Sequence, residues 1–166
     1  MSGLSSAGRR LRGFRRLGWG ERVLFLESWM LLGWARALVL AVPLRWLVPR
    51  PLPVANAVAG EDTDVGDERR EEVRRLGRML RKASRHTPWE SNCLAQALAG
   101  RWMLERRELP TTLYLGVAKD PRDLTAHAWL RCRGQTVVGG PESGVFTPIA
   151  AFAPNEPPAR AGSDSH

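Results

Sequence analysis

The spacing of apolar and polar positions divides the chain into helical segments followed by strands. Residues 20–48 are dense in Leu, Trp, Val and Ala, and they read as one long helix or as two helices broken near Pro43, because proline removes a backbone donor. Glu27, Arg36 and Arg45 stand nine residues apart, which at about 100° per residue puts consecutive charges on opposite sides of a helix. Trp29, Leu31, Trp34, Leu38 and Leu40 supply apolar surface on most sides, so packing against the rest of the protein or a partner is expected. Residues 49–66 mix prolines, glycines and acids and read as a loop or linker. From Asp67 a second helix is predicted, with Val73, Leu76, Met79, Leu80 and Ala83 at three-to-four spacing and acids in its first turn. It ends before His86-Thr87-Pro88.

Ser91 or Asn92 can cap a third helix, which runs through Cys93, Leu94, Ala95, Leu98 and Met103 and stops at Leu109-Pro110. The period then changes to two. Residues 111–118 alternate as a strand with Leu113, Leu115 and Val117 on one face and Tyr114 on the other. A polar turn at 119–123 leads to a second strand over 125–133, in which Ala126, Ala128, Leu130 and Cys132 share a face opposite His127, Trp129 and Arg131. Gly134-Gln135 is a hairpin candidate before a third strand at 136–138. A fourth short strand is expected near 145–149. The resulting division is a helical region at 1–85 with its linker at 49–66, a core at 86–153, and a disordered tail at 154–166.

Charge enters next, since 25 Lys+Arg against 17 Asp+Glu give a net +8 in 166 residues. The excess is local. Residues 1–50 hold nine Arg against Glu21 and Glu27, whereas residues 86–166 hold eight basic and eight acidic side chains. No basic stripe with interleaved aromatics runs through the folded part, which argues against nucleic acid as a partner. An Arg-rich start before an apolar stretch also raises the question of a signal or anchor. Glu27, Arg36 and Arg45 cut residues 23–49 into uncharged pieces of at most eight residues, against the about 20 that a membrane span needs. Peripheral contact with an anionic membrane through residues 9–50 therefore ranks below docking of a partner. Two cysteines 39 residues apart make neither a disulfide framework nor a metal pair, so a reduced, cytoplasmic protein without metal or cofactor is expected.

Cys93 falls in the first turn of its predicted helix, where unpaired N–H groups and the helix dipole favour a thiolate. By composition it is also the profile of a buried small apolar side chain. A cysteine nucleophile needs a base, and His127 is the histidine on a predicted strand of the same segment. If the sheet packs on the Cys93 helix, His127 approaches the thiol while Ala126, Ala128 and Leu130 face away. Trp89 and Trp129 are candidates for the walls of a substrate cleft, Trp89 alternatively stapling the helix start. Cys132, on the aliphatic face, is assigned to the core.

The stretch 92–99 (NCLAQALA), the Arg106-Arg107 helix end, Leu113-Tyr114-Leu115-Gly116-Val117 and Ala126-His127-Ala128-Trp129 together resemble the transglutaminase-like peptidase half of lasso-peptide biosynthesis B proteins. The resemblance covers residues 86–150 closely. It implies an α+β, papain-like or transglutaminase-like core, a Cys-bearing helix packed on an antiparallel sheet and preceded by N-terminal helices. It further implies a cysteine peptidase that removes the leader from a ribosomally made precursor peptide, with Cys93 as nucleophile and His127 as base. A cyclase resembling asparagine synthetase then closes the ring. Because residues 1–85 read as helices, the chain resembles the split version, in which a separate leader-recognition protein is required. The family pattern has an acid that orients the histidine soon after its strand; here Glu142 is the nearest, with Asp120 and Asp123 as alternatives or a backbone carbonyl in its place. The Cys93 N–H and the Asn92 side chain are the candidate oxyanion donors. A catalytically idle scaffold that holds the leader-recognition protein or the cyclase is the competing reading.

Overall fold

A computed structural model describes residues 18–48, 51–54, 57, 67–89, 91–120, 123–140 and 145–153. Among the described residues, helices α1 (Trp19–Ala41), α2 (Leu44–Leu47), α3 (Asp67–Ser84) and α4 (Cys93–Glu105) precede strands β1 (Thr112–Asp120), β2 (Asp123–Cys132), β3 (Gln135–Val138) and β4 (Thr147–Phe152). The break between α1 and α2 falls at Val42-Pro43, as the proline requires. The fourth strand begins two residues later than its predicted position. Residues 1–17, with five of the N-terminal arginines, and the predicted tail at 154–166 lie outside the described residues.

The sheet is antiparallel throughout, in the order β3-β2-β1-β4. The β2–β3 hairpin turns at Arg133-Gly134 and not at Gly134-Gln135. Both residues have positive φ, 49° and 74°, the pattern that a two-residue turn between twisted strands demands.

Helix α4 lies at the centre of the helical layer. Its Ala95, Ala97, Leu98, Met103 and Leu104 are buried with Leu113 of β1, Ala128, Leu130 and Cys132 of β2, and Val138 of β3. Helix α3 packs beside it through Val73, Leu76, Met79, Leu80 and Ala83, the predicted stripe. A Cβ on Gly100 would stand 3.0 Å from both Leu130 and Leu80, so this glycine marks the point where α3, α4 and β2 meet. Among the described residues, packing is therefore continuous across residue 85.

Helix α1 covers α3 and α4 with Leu24, Ser28, Leu32 and Ala35. By length and mean hydropathy, 23 residues and 1.6 in its most apolar window, it meets the measure of a membrane-crossing helix. The charges along it do not lower it below that measure, which concerns length and composition only. One of the interrupting charges is turned inward: Glu27 accepts hydrogen bonds from Arg106 and Arg107 beyond the end of α4. The hydrogen bond to Glu27 holds the Arg107 guanidinium above its ordinary range, against the opposing effect of burial. On the outward face Trp19, Val23, Leu26, Met30 and Trp34 stay exposed at three- and four-residue intervals.

The other face of the sheet carries a smaller cluster of Tyr114, Trp129 and Ala151. Part of the predicted linker packs there. Leu52 forms a bridge with Ala151, its N–H donating to the Ala151 carbonyl at 2.8 Å, and Ala57 is buried against the aromatic pair.

Candidate active site

Local chemistry at the start of α4 follows from three consecutive residues. Asn92 leaves the helix with extended backbone, and its Oδ1 accepts from the Ala95 N–H at 2.9 Å. This cap satisfies the third helical donor, so that the N–H groups of Cys93 and Leu94 are the donors left without a partner among the described residues at the positive end of the helix dipole. Asn92 thus caps the helix through Oδ1, a contact that uses the acceptor of its amide and not the Nδ2 donor. The preceding loop is pinned by Thr87, whose hydroxyl lies 2.9 Å from the carbonyls of Ser84 and Trp89 and from Ser91 Oγ.

Strand β2 places His127 differently from the sequence-based expectation. The aliphatic face of Ala128, Leu130 and Cys132 packs on α4, and His127 is on the opposite face with Trp129. The physical reason is burial: the strand has one face able to fill a core, and the helices take it. His127 reaches the thiol side around the sheet edge instead. Strand β3 pairs only as far as Leu130↔Val138, and the chain then turns away at Gly139, where φ is +77°. The β2–β3 ladder ends at that point, and His127 lies beyond it.

The result is a cavity of about 840 Å³ that receives Cys93 and Gln96 from α4 and His127 from β2. Its remaining walls are Thr136, Gly139 and Gly140 from β3 and the turn after it, and Arg81 and Arg85 from the end of α3. Cys93 is a thiol outside any disulfide, partly exposed; Cys132 makes no disulfide among the described residues and is buried in the core. The structure thus brings the two principal sequence candidates to one cavity from separate elements.

The histidine is held on two sides. Its ring lies against Phe146, with centroids 4.8 Å apart, and 6.2 Å from Trp129, which stacks on Tyr114. Its Nε2 is 3.3 Å from the Gly139 carbonyl oxygen. A carbonyl can only accept, so this contact requires the hydrogen to sit on Nε2 and leaves Nδ1 with the lone pair. Among the described residues, Gly139 O is the hydrogen-bond partner of the His127 ring. Glu142 and the side chains of Asp120 and Asp123 lie outside the described residues.

The two tryptophans do not line the cavity. Trp129 is buried in the outer cluster behind the histidine. Trp89 packs on α1, 5.0 Å from the Trp29 ring and so close to Gly33 that a Cβ there would stand 2.9 Å from it. Trp89 therefore staples the start of α4 to α1. Sequence reasoning missed Gln96, Arg81 and Arg85. Gln96, one turn after Cys93, is recognisable by its three-residue spacing, and its Nε2 donates to Ser91 O at 2.7 Å. The arginines have no such signal, since their helix is separated from Cys93 by a loop.

A helix that opens on a cysteine and packs on an antiparallel sheet, with a histidine at the sheet edge facing the same cavity, defines a thiol-dependent acyl-transfer architecture. Residues 36–151 match the family model described as the Transglutaminase-like superfamily, and the chain belongs to that superfamily, which includes cysteine peptidases. The match begins inside α1 and includes α3, in accord with the continuous packing across residue 85. Comparison with curated proteins and with solved structures gives no match.

Proposed function

We propose that the protein is a cysteine peptidase that removes the leader from a ribosomally made lasso precursor peptide, acting with a separate leader-recognition protein and an asparagine-synthetase-like cyclase. The observation that carries the peptidase chemistry is the shared cavity of Cys93 and His127, with His127 Nε2 engaged by Gly139 O. Nδ1 of His127 takes the thiol proton as Cys93 Sγ attacks the scissile carbonyl. The N–H groups of Cys93 and Leu94 are the donors for the developing oxyanion. The proton held by His127 passes to the leaving amine, and water then hydrolyses the thioester to the leader acid and the free thiol. The leader, the partner and the cyclase rest on the likeness of residues 86–150 to lasso B proteins.

Processing of the precursor by the purified chain with its leader-recognition partner tests this reading. Cys93→Ala and His127→Ala are each expected to abolish cleavage while circular dichroism is unchanged. Normal cleavage by Cys93→Ala would sink it. The exposed apolar stripe of α1 favours a second reading, an idle scaffold that docks the leader-recognition protein there. A scaffold predicts that Cys93 is alkylated no faster than a free thiol.

A further inference from the structure

Arg81 and Arg85 line the cavity beside Cys93, yet the proposed reaction gives them no task. Arg81 lies in the last turn of α3 and Arg85 directly after its end, and both line the same cavity. Arg81 donates through Nη1 to the Val137 carbonyl, which fixes its position against β3 and leaves further N–H donors of the fork uncommitted. Two other arginines of α3, Arg74 and Arg78, share the single carboxylate of Glu71 on the outer surface. Neither Arg81 nor Arg85 pairs with a carboxylate among the described residues. Partial burial, together with the neighbouring charges of Arg78 and Arg85, holds the Arg81 guanidinium below its ordinary range. An anion entering the cavity would relieve that repulsion.

We propose that Arg81 and Arg85 form a subsite for a carboxylate of the peptide substrate, next to the bond that Cys93 attacks. The proposal rests on the peptidase reading and adds the substrate class: a peptide with an Asp or Glu side chain, or a free C-terminal carboxylate, close to the scissile bond. The planar guanidinium fork matches a carboxylate in two parallel hydrogen bonds. The Thr136 hydroxyl, in the same wall, adds a neutral donor.

Two measurements test it on the full chain. The first is the ratio of alkylation rates of Cys93 with iodoacetate and with iodoacetamide, followed by mass spectrometry. The ratio is expected to exceed that of glutathione by about fivefold, a gain of the size that two partly exposed ion pairs supply. It should fall to the glutathione value in Arg81→Gln/Arg85→Gln. Equal ratios in the native and substituted proteins would overturn the subsite. Arg85→Gln, which breaks no hydrogen bond among the described residues, serves if the double variant misfolds, and a partial fall is then expected.

The second measurement follows the Gly139 and Gly140 amide resonances during titration with blocked tripeptides. Acetyl-Gly-Glu-Gly-amide offers a side-chain carboxylate, acetyl-Gly-Gln-Gly a terminal one, and acetyl-Gly-Gln-Gly-amide neither. At least one anionic peptide is expected to shift both resonances in the native protein and not in the variant, and the one that does so identifies the source of the carboxylate. No shift by either, or an equal shift by the neutral peptide, overturns the subsite even where Cys93 is reactive. If Cys93 resists both alkylating reagents while an anionic peptide still binds, the peptidase reading falls and the subsite stands.

Discussion

Nε2 of His127 stands 3.3 Å from the carbonyl oxygen of Gly139, and that glycine has a left-handed backbone packed against Trp129. A Cβ at Gly139 would lie 2.6 Å from Trp129 Cβ and 2.8 Å from the Ala128 carbonyl oxygen, so Gly139→Ala must move the turn. The left-handed conformation by itself costs a residue with a side chain about 1–2 kcal/mol, and the contact adds to that. Thermal unfolding of Gly139→Ala should shift to lower temperature, and alkylation of Cys93 should slow to the rate found without the His127 imidazole. An unchanged alkylation rate would mean that this carbonyl does not orient the ring.

Asn92→Ala removes the oxygen that caps α4. Loss of such a cap costs about 1 kcal/mol, and here it also frees the turn on which Cys93 sits. Asn92→Asp retains an acceptor for the Ala95 N–H. The expected order of unfolding temperatures is native, then Asp, then Ala with a clear drop; equal temperatures for native and Ala would refute the capping role.

Glu27→Gln tests the link between α1 and the end of α4. Glu27 accepts from two arginines, but Arg106 is 57% exposed, so solvent screening limits the contribution. A loss of about 1 kcal/mol in chemical denaturation is expected, with Cys93 reactivity unchanged because the pair lies outside the cavity. A change in reactivity without a change in stability would contradict this assignment.

Much of this arrangement is legible in the sequence because it rests on local rules. Asn92 before Cys93 announces a capped helix, the alternation around Leu113 and Leu130 gives the strands, and Pro43 divides α1 from α2. What was not legible depends on partners distant in sequence. Alternation tells that Leu130 and His127 point to opposite faces, but not which face meets α4; core volume decides that. The turn at Arg133-Gly134 escaped because a non-glycine residue takes the first positive φ. Arg81 and Arg85 reach the cavity only because α3 packs beside α4, and Trp89 looks like a cleft residue until Gly33 gives it a place on α1.

In the proposed reaction Cys93 and His127 act as one thiol–imidazole unit. The most direct test of that unit is the rate of Cys93 alkylation by iodoacetamide at neutral pH, in the native protein and in His127→Ala, with the Cys132 peptide as internal reference. Native Cys93 is expected to react faster than a free thiol, Cys132 to stay protected in the core, and His127→Ala to slow Cys93 roughly tenfold. Equal rates for Cys93 with and without His127, in proteins that unfold at the same temperature, would contradict it.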